Sequence, residues 1–112
     1  MSGRLAVAVV VAAAAAAVAG CGGEGETEPV ATTQVSMAKS YRFGPRTIEI
    51  AAGDTVTWTN DDNFTHTVQV ERQEDHKVGR GKSVSIAFDE PGTYDYVCTL
   101  HRRDMSGTVM VG

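Results

Sequence analysis

From residue 48 onward the chain alternates apolar and polar side chains in short runs. In each run about every second residue is apolar, and β-branched and aromatic residues are frequent. A period of two is typical of β-strands with one buried face, whereas a helix would repeat every 3.6 residues. The pattern predicts six strands, at 48–50, 55–59, 66–70, 83–88, 93–98 and 107–111.

Turn-forming residues separate these runs. Gly, Pro, Asn and Asp occur at 52–54, 60–63, 79–82 and 90–92, and they favour sharp reversals of the backbone. Short strands at this spacing predict an all-β sandwich or barrel. Val56 and Trp58 share one face of their strand, so both should point into the core. The charged segment 71–82 should form a loop or an exposed edge with little regular structure.

The first 20 residues follow a different pattern. Arg4 precedes an unbroken apolar run at 5–18, and two small residues follow that run. This order is typical of a secretory signal peptide. The run has about 14 residues, fewer than the roughly 20 that a membrane-spanning helix needs. We therefore predict a cleaved signal peptide at 1–20.

The residue after this segment is Cys21. Residues 18–21, with the sequence VAGC, resemble a bacterial lipobox, in which the Cys carries lipid and begins the mature protein. Acyl chains on Cys21 would hold a soluble domain at a membrane surface outside the cytoplasm. Two alternatives stay open. Cys21 lies near a cleavage site without modification, or it forms a disulfide with Cys98.

A polar segment joins this anchor to the rest of the chain. Residues 21–34 are rich in Gly, Glu and Thr and have almost nothing to bury, so we expect a flexible tether. The folded domain is expected at 35–112. The whole chain has a net charge of −4, and no basic patch is indicated, so we expect no nucleic-acid binding. We also expect a monomer.

Candidate metal ligands lie on one short connection between two predicted strands. Cys98, His101 and Met105 place a thiolate, an imidazole and a thioether there, and His66 follows the 60–63 turn. Two imidazoles, a thiolate and a weak thioether are the donor set of type 1 copper. Zinc is the alternative, but it gains little from a thioether. We therefore predict one copper ion held by His66, Cys98, His101 and Met105.

Three stretches of the chain resemble the plastocyanin and amicyanin branch of the cupredoxins, and the resemblance covers essentially all of 35–112. The stretches are 53–60 (GDTVTWTN), 66–68 (HTV) and 92–98 (GTYDYVC). The resemblance implies a Greek-key β-sandwich with copper near one end, under the ligand loop. Such a centre needs a backbone N–H on the Cys98 sulfur and a partner for each imidazole. Asn60 and Thr67 flank the segment of the first ligand. The resemblance implies that the turn beside His66 helps to tie the two ligand loops together, and these two residues are the candidates for it.

The chain departs from this family pattern at two points. The spacing between His101 and Met105 is intermediate between amicyanin-like and plastocyanin-like loops, so the resemblance does not set the length of the Met105 bond. Val97 stands where plastocyanins usually carry a Tyr on one electron route to the partner. That route is not expected here.

Side chains next to the ligands predict how a partner would dock. Arg102 and Arg103 follow His101, the ligand expected to present its edge to solvent, and their charge would attract a partner with an acidic docking face. The alternative is a solvated loop without a partner. Candidates for an apolar rim are Leu100, Phe64 and Pro45.

Taken together, these features predict an electron carrier and not an enzyme. It would be tethered to the outer face of a membrane and exchange single electrons with a redox donor and an acceptor. One alternative is a copper chaperone or buffering lipoprotein with an exchangeable Cu(I) site. Another is a copper enzyme such as an oxidase or nitrite reductase, for which too few His remain among the three in the chain. A β-sandwich lipoprotein without metal is the last.

Overall fold

The structure is a computed structural model that describes residues 28–38 and 41–112. These residues form β1 (Val30–Ala31), β2 (Gln34–Ala38), β3 (Arg42–Gly44), β4 (Thr47–Ile50), β5 (Asp54–Asn60), β6 (His66–Val70), β7 (His76–Val78), β8 (Ser83–Phe88), β9 (Gly92–Val97) and β10 (Ser106–Val111). One turn of 3-10 helix, Thr99–His101, lies between β9 and β10. The predicted signal peptide, Cys21 and the tether up to residue 27 lie outside the described residues.

The strands form two sheets. One sheet has the order β1-β4-β10-β9-β6-β7, and the other has the order β3-β2-β5-β8. Aromatic rings from both sheets meet between them, because Tyr96 of β9 contacts Phe43 of β3 and Trp58 of β5 at ring-centroid distances of 4.8 and 5.1 Å. The predicted β-sandwich is therefore confirmed.

Apolar residues of both sheets fill the space between them. Val56 and Trp58 are fully buried, as their alternation with Thr predicts. The Tyr96 hydroxyl donates to the Arg46 carbonyl oxygen at 3.2 Å, and its burial raises the pKa of that hydroxyl well above its ordinary value of 10.0. Gly107 of β10 packs against the same ring, where a Cβ would lie 2.4 Å from it.

The six predicted strands correspond to β4, β5, β6, β8, β9 and β10, with bounds that agree within one residue. β7 lies inside the charged segment 71–82 and forms one edge of the six-stranded sheet, so the exposed-edge alternative is the one observed. Short strands such as β1 and β3 hold too few residues to show a period of two, and hydrogen bonds to neighbouring strands define them.

Regular structure begins earlier than the expected domain boundary at residue 35. β1 pairs in parallel with β4, and β2 starts at Gln34. The end of the expected tether therefore lies against the sandwich, because its backbone hydrogen-bonds to a strand whatever its side chains are. Within the described residues, no helix has the length and apolar character needed to cross a membrane.

The strand order brings the predicted ligands to one end of the sandwich. β6 and β9 are antiparallel neighbours, with Gln69 opposite Val97, the last residue of β9. The start of β6 at His66 therefore extends past β9 and lies beside the loop that begins with Cys98. β9 and β10 are also antiparallel, and Ser106 pairs with Val97. Met105 therefore returns to the same end.

Candidate metal centre

The four predicted ligands occupy the start of β6 and the loop from β9 to β10. His66, Cys98 and Met105 are fully buried, and His101 is half-buried. The loop closes on itself through backbone hydrogen bonds: the Cys98 N–H donates to the Met105 carbonyl at 3.0 Å, and the Met105 N–H to the His101 carbonyl at 2.9 Å. These bonds hold the three loop residues in fixed relative positions.

The closest donor atoms are the Nδ1 of His66 and the Sγ of Cys98, which lie 3.8 Å apart. Two such atoms bound to one ion at about 2.0 and 2.3 Å, roughly 120° apart, would be separated by about 3.7 Å. The observed distance therefore fits a shared metal ion. The thiolate and imidazole are the donors that type 1 copper requires in its trigonal plane.

Asp62 orients the first imidazole. Its Oδ2 lies 2.9 Å from the Nε2 of His66, and both side chains are buried. A carboxylate oxygen accepts, so Nε2 carries the hydrogen and Nδ1 keeps its lone pair toward Cys98. The Asp62 backbone N–H donates to the side chain of Asn60 at 2.9 Å. The turn 60–65 thus presents the imidazole in one tautomer and one orientation.

Asn60 connects this turn to β7. Its side-chain amide donates to the carbonyls of Phe64 at 2.8 Å and Val78 at 2.9 Å. Asn60 itself is fully buried. The amide therefore satisfies three backbone groups around the first imidazole. None of these groups belongs to the loop from Cys98 to Met105, so these bonds brace the turn of the first ligand and are not the expected tie between the two ligand loops.

The Cys98 sulfur accepts from Thr67. The Thr67 N–H lies 3.4 Å from Sγ, which is the predicted backbone hydrogen bond, and its hydroxyl oxygen lies 3.7 Å away. The same hydroxyl accepts from the Thr99 N–H at 2.7 Å and contacts the Thr99 hydroxyl at 2.9 Å. Thr67 therefore links the two ligand segments, and Thr99 in turn donates its hydroxyl to Asp75 at 2.7 Å.

Tyr41 covers the second imidazole. Its ring centroid lies 4.3 Å from that of His101, with 34° between the planes, and 5.9 Å from that of His66. Tyr41 has a φ of 56°, in the left-handed region that most residues avoid. Tyr41 thus makes a favourable aromatic contact with His101 while its own backbone conformation is unfavourable. His101 thus has a partner on one ring face, whereas His66 has a carboxylate.

The comparisons with known proteins agree with this geometry. Residues 30–112 match the model of a family described as copper binding proteins, plastocyanin/azurin family. The chain belongs to this family. The protein is a cupredoxin, and its cofactor is one type 1 copper ion used in electron transfer.

Similar proteins include cupredoxins and a copper-containing enzyme. The cupredoxin is 38% identical over 90 residues to amicyanin-alpha from Methylorubrum extorquens, covering 74% of each chain. A purple cupredoxin from Nitrosopumilus maritimus superposes with a TM-score of 0.65 at 27% identity, over 72% of this chain and 100% of the other. A copper-containing nitrite reductase from Thermus scotoductus superposes with a TM-score of 0.62 at 31% identity, over 76% of this chain and 23% of the enzyme.

The structure brings the four predicted ligands of the cupredoxin to one end of the sandwich, and their role in binding copper stays a prediction. In the described part of the chain, no group of three or more His, Cys, Asp or Glu side chains lies close enough together to hold a metal ion. The distance of 3.8 Å between their donor atoms supports His66 and Cys98 as a ligand pair. His101 and Met105 are supported by their positions in the loop that the backbone hydrogen bonds close on Cys98.

Sequence reasoning missed three residues around this centre. Asp62 had a usable signal, because a carboxylate four residues before an imidazole and within one turn can reach it. Tyr41 and Asp75 had none, since each lies more than 20 residues from the ligand-loop residue it contacts. Of the predicted apolar rim, Leu100 and Phe64 are both 57% exposed, and Phe64 lies beside Tyr41 at 6.2 Å.

Proposed function

We propose that this cupredoxin is a single-electron carrier that works outside the cytoplasm, with copper held by His66, Cys98, His101 and Met105. The observation that carries the proposal is the buried pair His66 and Cys98, whose donor atoms are 3.8 Å apart. A type 1 copper ion held there would supply one-electron chemistry between Cu(I) and Cu(II). The protein has to supply a site that stays the same in both states.

The contacts around the ligands supply that rigidity. Asp62 holds the His66 ring, the Thr67 N–H holds the Cys98 sulfur, and the backbone bonds of the loop hold Met105. Because these contacts hold the side chains in place without the ion, little rearrangement would accompany electron transfer at a copper ion bound there, and the transfer would be fast. Full burial of three ligands also excludes water.

His101 is the route by which we expect the electron to leave or enter. It is the half-buried ligand. The exposed Leu100 precedes it in the loop, and the exposed Phe64 lies beside Tyr41, whose ring covers His101. A partner that covers these side chains would come close to the imidazole edge without breaking strong hydration. The donor and acceptor are therefore redox proteins that dock at this end of the sandwich.

The charges at this end favour an acidic partner. Arg102 and Arg103 are both exposed and follow His101 directly. Their attraction to an acidic face raises the association rate at low salt and weakens as salt is added. Reversing both charges, Arg102→Glu with Arg103→Glu, should slow reduction by an acidic donor at low ionic strength. An unchanged rate would leave the pair as solvated loop residues.

A visible absorption spectrum tests the copper assignment directly. The purified protein loaded with Cu(II) should show a strong band near roughly 600 nm that ascorbate bleaches and reoxidation restores. Cys98→Ser removes the thiolate at similar volume and should abolish the band. Thr108→Ser, a matched hydroxyl change in β10, should retain it. A colourless protein that still binds Cu(I) would instead support the chaperone alternative.

The proposal includes a membrane anchor through lipid on Cys21, after removal of the signal peptide at 1–20. Sequence pattern alone supports this part. In a bacterial host, the protein should fractionate with membranes and incorporate labelled fatty acid. Cys21→Ala should abolish the labelling. If labelling persists in this variant, the lipid is not on Cys21.

The proposed role does not include catalysis. The superposition on a nitrite reductase extends over 23% of that enzyme, which corresponds to one domain of a larger chain. A second copper centre would need further imidazoles, and this chain has three His in all. We expect a monomer that shows no turnover of nitrite, and sedimentation together with a nitrite assay tests both expectations.

A further inference from the structure

The hydrogen bonds around the Cys98 sulfur continue outward to an exposed carboxylate. The Thr99 hydroxyl lies 2.7 Å from the Oδ2 of Asp75. A carboxylate oxygen accepts and cannot donate when ionised, so the single hydroxyl hydrogen of Thr99 points to Asp75. The Thr99 oxygen then has only lone pairs to offer to its other neighbours.

The hydrogen of the Thr67 hydroxyl is consequently left with two acceptors. One is the Thr99 hydroxyl oxygen at 2.9 Å, and the other is the Cys98 sulfur at 3.7 Å. The Thr67 oxygen itself already accepts from the Thr99 N–H at 2.7 Å. Because the bond to Asp75 makes the Thr99 oxygen a stronger acceptor, the Thr67 hydrogen is drawn toward oxygen and away from sulfur.

We propose that Asp75 is a positioning residue that, through Thr99, turns the Thr67 hydroxyl away from the Cys98 sulfur and thereby lowers the reduction potential of the copper centre. The inference rests on the proposed ligand role of Cys98. A hydrogen bond to the thiolate withdraws electron density from it and favours the electron-rich reduced state. Withholding that bond favours the oxidised state.

The sharpest test is Thr99→Val, which keeps the charge of Asp75 and nearly the shape of the Thr side chain. The Thr67 hydrogen then has the sulfur as its remaining acceptor among these contacts. The equilibrium constant for reduction by a reference redox couple should rise about two- to tenfold, which corresponds to one net hydrogen bond. The absorption band of the oxidised protein should also move to shorter wavelength, because the sulfur orbital is stabilised.

A double-mutant cycle separates the relay from other effects. In a Thr67→Val background the hydroxyl is gone, and the Thr67 N–H still donates to the sulfur. Thr99→Val should then shift neither the potential nor the band. Asp75→Ala should raise the reduction potential more in the native background than in the Thr67→Val background. In Thr67→Val the change in potential comes only from the loss of the Asp75 charge. Equal shifts in both backgrounds would overturn the proposal.

A measurement without copper checks the connection itself. In the metal-free protein, Thr67→Val removes the acceptor of the Thr99 N–H. The Thr99 amide should therefore exchange its hydrogen faster in this variant. In the control variant, Thr108→Val, its exchange rate should stay unchanged. Thr67→Ala replaces Thr67→Val if the latter does not fold. A band near roughly 600 nm in every variant with no shift in potential refutes the relay alone. Absence of the band in the unaltered protein refutes the proposed copper ligands as well.

Discussion

Asn60→Ala should destabilise the fold strongly, although Asn60 is polar and the pattern of apolar residues along the chain does not identify it as a core residue. Its side chain is fully buried. It donates to the carbonyls of Phe64 and Val78 at 2.8 and 2.9 Å and accepts from the Asp62 N–H at 2.9 Å. Alanine makes none of these three hydrogen bonds and leaves the backbone groups without this partner.

The magnitude follows from these contacts. Three hydrogen bonds contribute about 3 kcal/mol at roughly 1 kcal/mol each, and buried groups left unsatisfied add to this loss. We expect the free energy of unfolding to fall by about 3 to 5 kcal/mol. A small domain has about 5 to 15 kcal/mol in total, so the variant loses a large share of its stability. A loss of 3 kcal/mol corresponds to a Tm lower by roughly 12 to 24 °C.

Urea unfolding of the metal-free protein measures this change without the contribution of bound copper. Trp58 is the single tryptophan and is fully buried, so its fluorescence reports unfolding of the core. The matched control is Asn63→Ala, because Asn63 is exposed and its backbone N–H makes its bond to Asp62. The control should change stability by less than about 0.5 kcal/mol. A loss below about 1 kcal/mol for Asn60→Ala, at an unchanged urea dependence, would refute the reasoning.

Three further outcomes are expected. Gly107→Ala should cost more than about 3 kcal/mol in urea unfolding, because its Cβ would lie 2.4 Å from the Tyr96 ring, while Gly44→Ala, with nothing within 4 Å, should be tolerated. Burial raises the pKa of Tyr96 above 10.0, so unfolded chains lose this proton first and stability should fall as pH rises above about 10; in Tyr96→Phe this part of the pH dependence should disappear. Tyr41→Ala should lower the Tm of the metal-free protein by several degrees through the lost ring contact with His101, at about 1 kcal/mol, whereas Tyr41→Phe should match the native value.

Much of the sandwich was predictable because the information is local. The strand from Asp54 to Asn60 alternates polar residues with Val56 and Trp58, and the structure buries both apolar side chains. β7 was less clear, since a three-residue strand at a sheet edge has too few positions to show a period. Its pairing with β6, and not its composition, defines it.

The candidate ligands stand out in the sequence for a related reason. Cys98, His101 and Met105 share one short loop, so their types and spacing can be read together, and the structure places His66 beside them because β6 and β9 are antiparallel neighbours. The likeness to known cupredoxins added the expected Greek-key sandwich, and the family match agrees with it.

By itself, the sequence determined the alternating strands, the turns between them and a donor set suited to copper, because each depends on side chains near one another along the chain. Only the tertiary structure decided which groups distant in sequence contact the loop that carries those donors. The ring of Tyr41 meets His101, and the carboxylate of Asp75 meets Thr99, across long separations in sequence. Such contacts arise from the approach of two loops in the folded sandwich, and no local pattern of residues specifies that approach.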